Sequence, residues 1–179
     1  MTLDRSGSVR RGRGASPAPA ARGFTIVELM VSLAVLAILL ALAVPSFTNA
    51  TLGSRLAGYA NDLLASTQIA RSEAIKRNAP VTLCASSNGT TCASSGGWQQ
   101  GWIVLVGTTV LQRQQALPSE FRVTQGTFGA ITFPATVVGV TPSTFVVCRA
   151  SPVGNQERVV TITASGSASV RMTETGTCT

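Results

Sequence analysis

Arg22-Gly23-Phe24-Thr25-Ile26-Val27-Glu28-Leu29-Met30-Val31 opens an apolar run that continues to Val44, and Glu28 is the one charge within it. As a helix rising ~1.5 Å per residue, that run is ~30 Å long, the thickness of a bilayer's hydrocarbon core. Arginines precede it at positions 5, 10, 11, 13 and 22, and the next cation is Arg55. By the positive-inside rule the first 23 residues stay in the cytoplasm and everything after Pro45 is exported. A carboxylate inside such a span costs ~2.5–3.5 kcal/mol and requires a partner. No cationic side chain follows Glu28 within helical reach. A cut after Gly23 would supply one, by creating an ammonium group on Phe24. That group could neutralise Glu28 of the same chain or of a neighbour, and the pair would set the axial register between packed helices. A secretory signal peptide is the competing reading, since Ala41-Leu42-Ala43 has the A-x-A form. The length of the run and the presence of Glu28 count against it. A plain single-pass anchor leaves Glu28 unexplained.

The composition agrees with this division. Hydrophobic residues make up 45% of the chain, aromatics 5% and charged residues 12%, so apolar surface is concentrated rather than spread through an aromatic core. The formal charge of +7 is carried largely by the leader. Of 14 basic residues, five lie in the first 23, where Asp4 alone opposes them; nine basic and six acidic residues remain beyond Gly23. A body this near neutrality does not demand a nucleic-acid partner.

Beyond the span the helix is expected to continue, kinked at Pro45. Leu52, Leu56, Tyr59, Leu63, Ala70 and Ala74 recur at three, four and seven, an amphipathic stripe suited to covering a sheet. Asn78 and Pro80 close it near residue 77. Arg71, Lys76 and Arg77 read as a solvated terminus favoured by the helix dipole. The remainder reads as strands: Val81–Ala85, Gly101–Val106 and Val110–Arg113 around Gly107-Thr108-Thr109, Phe121–Thr124, Ala130–Phe133, Ser143–Cys148, and Arg158–Thr163 with Ser169–Met172 around Ser165-Gly166-Ser167. The predicted fold class is α+β, a long N-terminal helix (membrane half, then amphipathic half) on an antiparallel sheet. The expected organisation is a removed leader over 1–23, a transmembrane and assembly helix over 24–44, and an exported head over 45–179.

An exported head meets an oxidising compartment, so four cysteines read as two disulfides. Three pairings are possible. Cys84 and Cys92 flank a short Ser/Asn/Gly/Thr loop and Cys148 lies in a strand that could neighbour the Cys178 tail, so Cys84–Cys92 and Cys148–Cys178 are the pairs expected. No C-x-x-C pair and no histidine occur, which disfavours zinc; no metal or cofactor is expected. The lack of histidine also removes the ordinary Ser-His and Cys-His arrangements, and the head carboxylates Asp62, Glu73, Glu120, Glu157 and Glu174 form no catalytic pair by spacing. The chain reads as no enzyme.

Residues 22–31 resemble the processing site of type IV pilins and type II secretion pseudopilins. The resemblance implies a prepilin peptidase that cuts after Gly23 and methylates Phe24, with Glu28 as the assembly carboxylate and Pro45 at the family's helix-kinking position. The leader is longer than many in that family. Ala70–Asn78 with Pro80-Val81-Thr82-Leu83-Cys84, then Trp98 with Gly101-Trp102-Ile103-Val104, resemble the minor pseudopilin family GspH/FimT. The two tryptophans read most simply as apolar pins holding a loop to the sheet. Membership implies a minor pilin or pseudopilin, inserted once in the inner membrane with its N-terminus cytoplasmic and its head periplasmic, then built into a pilus or pseudopilus. The implied partners are the peptidase, other pilin or pseudopilin subunits, the inner-membrane assembly platform and the membrane itself. DNA is a weaker possibility. Some relatives bind it with paired arginines in the C-terminal turn, where this chain has Arg171, Ser167 in place of the first arginine, and Arg149 and Arg158 as neighbours.

Overall fold

The computed structural model describes residues 23–136, 139–151, 154, 156–176 and 178, with backbone alone for Val44, Pro45 and Ser46. The leader before Gly23 and the effect of the Pro45 ring lie outside the described residues. The chain divides into two units, one ending at Val44 and the other starting at Pro45. A helix α1, Ile26–Arg77, contributes to both.

The first unit contributes the apolar start of α1. Every large apolar side chain from Phe24 to Leu42 is at least 50% exposed, and the most apolar window has a mean hydropathy of 2.7. A helix that is apolar all round and buries none of it within its own chain requires lipid or other helices around it.

In the second unit α1 becomes amphipathic. Leu56, Ala60, Leu63, Thr67, Ala70 and Ala74 alternate at four and three residues and are buried. Leu52 and Tyr59, expected on the stripe, are only partly buried at its margin. Asn78 ends the helix at φ 46°, with its N–H donating to Ile75 O (3.3 Å) and Ala79 N–H to Ala74 O (3.3 Å). These are the two bonds of a left-handed C-terminal cap, and Asn tolerates that conformation better than other side chains.

Eight strands follow: β1 (Val81–Ala85), β2 (Trp102–Val106), β3 (Thr109–Gln114), β4 (Phe121–Gln125), β5 (Ile131–Phe133), β6 (Ser143–Arg149), β7 (Glu157–Ile162) and β8 (Ala168–Thr173). They form two antiparallel four-stranded sheets rather than one, ordered β3-β2-β1-β5 and β4-β6-β7-β8. The hairpins β2–β3 and β7–β8 are local; β1–β5 and β4–β6 are distant pairings that strand composition does not specify.

One core joins the helix to both sheets. Leu83, Trp102 and Val104 enter it from the first sheet, and Phe121, Phe145, Val147, Val160 and Ile162 from the second. The Tyr59 and Phe121 rings meet edge to face at 4.9 Å. Trp102 Nε1 donates to Ser66 Oγ at 2.9 Å, and that hydroxyl donates to Asp62 O at 2.8 Å. A serine on the buried face of α1 thus supplies the acceptor a buried indole needs.

Candidate assembly site and head surface

Around the start of α1, Gly23, Phe24 and Thr25 have no regular secondary structure, and all three are exposed. Phe24 is 71% exposed, and the space beside the Gly23 Cα is open. The peptide bond between them therefore lies in accessible, non-helical backbone. Thr25 caps the helix: its Oγ1 accepts from the Glu28 N–H (3.2 Å), and its carbonyl accepts from the Leu29 N–H (3.1 Å). Thr25-Ile26-Val27-Glu28 is a T-x-x-E capping pattern, a signal the sequence reading passed over. It places Glu28 in the first turn, where a carboxylate faces the positive end of the helix dipole. Ser32 Oγ donates to Glu28 O at 2.7 Å.

The head is fastened by two disulfides, Cys84–Cys92 and Cys148–Cys178, with no free cysteine among the described residues. Both Trp98 and Trp102 are buried. Trp98 stands on a single 3₁₀ turn, Trp98–Gln100, between β1 and β2. Its ring lies edge to face on Phe145 of β6 at 4.8 Å, and its Nε1 donates to Gln125 Oε1 of β4 at 2.9 Å. It spans from a loop of the first sheet into the second. Gly101 follows at φ 104°, where a Cβ would sit 2.6 Å from Gln114 O.

The basic cluster at the end of α1 is less free than its sequence suggests. Arg77 Nε lies 2.5 Å and Lys76 Nζ 3.5 Å from the Glu73 carboxylate. The Arg77 guanidinium, bonded to Glu73, holds that carboxyl below its ordinary value, with Lys76 adding to the effect. Arg71 Nη1 donates to Ser167 Oγ in the β7–β8 turn at 3.1 Å.

The three arginines named for nucleic acid are not all brought together. Arg171 on β8 is opposite Val159, whereas Arg158 is opposite Met172 and Val147. Side chains alternate along a strand, so Arg158 lies on the inward-facing side with Val147 and Arg171 on the other. Arg149, paired with Phe121, shares the inward side and lines one cavity with Arg158. The grouping of all three expected from the sequence is thus corrected by the two-residue period. Among the described residues no group of three His, Cys, Asp or Glu side chains gathers to hold a metal.

A long apolar helix continuing into an amphipathic one, laid on antiparallel sheets, is the architecture of a pilin-like filament subunit. The family described as type II transport protein GspH matches residues 59–166, more than half of the chain, and the prokaryotic N-terminal methylation motif matches residues 19–44. The chain belongs to the GspH family, whose members are minor pilins and pseudopilins: structural subunits, not enzymes, anchored by the apolar helix in the inner membrane. Two crystal forms of the type IV minor pilin FimU of Pseudomonas aeruginosa resemble it at 21% identity. Their TM-scores are 0.51 and 0.54, and the matches cover 65% and 68% of this chain and 92% and 91% of those. The minor pseudopilin EpsH from the type 2 secretion system of Vibrio cholerae matches at 13% identity and TM-score 0.49, over 68% of this chain and 98% of that one. No curated protein matches. The comparisons lend no specific support to DNA binding.

Proposed function

We propose that this minor pilin or pseudopilin is cut after Gly23 by a prepilin peptidase, methylated on Phe24, and built into a type IV pilus or type II secretion pseudopilus. Its residues 24–44 anchor it once in the inner membrane, N-terminus cytoplasmic, with the head over 45–179 in the periplasm. On assembly the apolar helices leave lipid for one another, and the new Phe24 ammonium pairs with Glu28 of the same or a neighbouring chain. Pro45 sits where the anchor passes into the head. The observation that carries this reading is the exposed apolar start of α1, which begins at the Thr25 cap directly after an accessible Gly23–Phe24 bond. Glu28 in the first helical turn lies within a few residues of that new terminus, so pairing needs no distortion of α1. The other subunits and the assembly platform are the partners this reading requires.

Intact-mass measurement and N-terminal sequencing of the mature protein test it. A chain beginning at a methylated Phe24, and an uncut precursor in cells lacking the peptidase, are expected. A start just beyond Ala43, or an uncut chain in the filament fraction, would overturn it. Glu28→Ala should stay in the membrane yet fail to enter filaments, and normal incorporation would remove the charge-pairing step. Deleting the gene and scoring surface pili beside secreted proteins assigns the machine.

A further inference from the structure

Between α1 and the ends of β6 and β7 lies a cavity of about 770 Å³, wholly within the head. It exists because the helix face above it carries Ala50, Gly53, Ser54 and Ala57, spaced by three, one and three residues and too short to fill the space. Arg149 and Arg158 line the opposite wall, each half-buried. Arg149 is held in place: its Nη1 meets Asn49 Oδ1 at 3.4 Å, and its guanidinium lies across the buried Gly154, where a Cβ would come within 2.5 Å of both Nε and Nη2. Arg158 Nη1 donates to Glu157 O at 3.2 Å. Among the described residues that line the cavity there is no carboxylate. Two like charges sharing one cavity without a counter-ion repel, and an oxyanion between them relieves that repulsion. Planar guanidinium forks suit the paired oxygens of a phosphate.

We infer that this cavity is a binding site for a phosphodiester, the headgroup phosphate of a membrane phospholipid, held while the subunit waits in the bilayer. The assignment of the source rests on the membrane anchoring proposed above. Asn49 is five residues beyond Val44, the end of the apolar run, so even a fully extended chain keeps it within ~18 Å of that end. A headgroup layer occupies ~5–8 Å on each side of the hydrocarbon. Phe47, between the two, is 73% exposed, an aromatic at the level where interfacial aromatics are enriched. Chain length therefore limits how far the cavity can stand from the headgroup layer. Assembly would carry the subunit away from that layer and exchange the lipid phosphate for other contacts.

The test uses the full-length chain in phosphate-free maltoside micelles at low salt, titrated with glycerophosphoglycerol (the deacylated headgroup diester), with inorganic phosphate and with a short DNA duplex. Binding is followed by calorimetry and by the guanidinium Nε–H resonances. Saturable binding of the diester is expected, with Arg149→Gln and Arg158→Gln each weakening it roughly tenfold or more, as loss of a charge-assisted hydrogen bond implies. Gly154→Ala keeps both charges but forces Arg149 off its seat and should weaken binding too. The inference is overturned by an absence of saturable binding, by affinities unchanged in both glutamine variants, by preference for inorganic phosphate over the diester, or by DNA displacing the diester. Cleavage after Gly23 is read separately from the intact mass, so failure of either idea leaves the other to its own test.

Discussion

Replacing Trp98 should loosen the head more than any change at its surface, and two substitutions separate the reasons. The side chain is fully buried. An indole in that position removes on the order of 200 Å² from water, an upper figure of ~5 kcal/mol at ~25 cal/mol per Å², and Trp→Ala changes in cores cost ~3–5 kcal/mol. Trp98→Ala also deletes the edge-to-face contact with Phe145 that ties the first sheet's loop to the second sheet. The hydrogen bond is the smaller part. Gln125 Oε1 accepts from Gly129 N–H (3.0 Å) as well as from the indole, so losing the indole does not leave it without a donor. Trp98→Phe, which keeps an aromatic ring beside Phe145, should therefore cost only ~1–2 kcal/mol. For a head of this size 1 kcal/mol corresponds to roughly 3–4 °C. Scanning calorimetry of the full chain in micelles should then show a fall of roughly 10–20 °C for the alanine variant and less than about 8 °C for the phenylalanine variant. Equal losses would refute the packing argument and give the hydrogen bond the leading role. A loss below about 1 kcal/mol for Trp98→Ala would mean that the two sheets do not depend on this side chain.

Gly101→Ala places a methyl group 2.6 Å from Gln114 O at a φ of 104°, and should cost ~1–3 kcal/mol or more in a denaturant titration, whereas Gly58→Ala, with open space around it on the helix, should be neutral or stabilising. Opening Cys148–Cys178 (sequence separation 30) by double alanine substitution should cost ~3.6 kcal/mol and opening Cys84–Cys92 (separation 8) ~2.5 kcal/mol, since the longer loop restricts the unfolded chain more; a reversed order in unfolding free energies would refute the loop argument. The bond from Arg77 holds the Glu73 carboxyl below the ordinary glutamate value of 4.5, so its stabilising contribution is present above that value and fades as pH falls through it towards the folded pKa. Glu73→Gln should accordingly narrow its stability deficit in acid, and a deficit that grows below pH 4.5 would contradict the sign.

The apolar first half of the helix was legible because a run of bilayer length with a single charge, Glu28, favours continuous helix over strand. The end at Asn78 was legible for a related reason, since a residue tolerant of positive φ followed by Pro80 stops a helix locally. Hairpins with short turns were also readable, because their partners are adjacent in sequence. The division into two sheets was not. Whether β1 takes β5, and β4 takes β6, is decided by how distant strands fill one core, and no local pattern encodes it. On the helix, Ala60, Ser66 and Thr67 went unread because small and hydroxylated residues carry little hydropathy, although they let the helix lie close to Trp102. The Thr25 cap was present as T-x-x-E but hidden behind the stronger question of why Glu28 is there. The basic residues were misgrouped, since nearness in sequence between Arg158 and the C-terminal strand says nothing about face until the register is known.

The Cys148–Cys178 bond also decides how the head bears load. A filament subunit pulled between its membrane helix and its C-terminal end transmits tension along the shortest covalent route. Here that route leaves β6 at Cys148 and crosses the disulfide directly to Cys178. Strands β7 and β8, with the arginine at position 158 and the turn at Gly166, hang on a closed loop through which no tension flows. Stretching can peel the sheets apart from β1 to β6, but it extends β7 and β8 only if the bond is first reduced. The half of the second sheet that bears the cavity's Arg158 is thereby a mechanically sheltered element, keeping its register while the rest of the subunit is under strain.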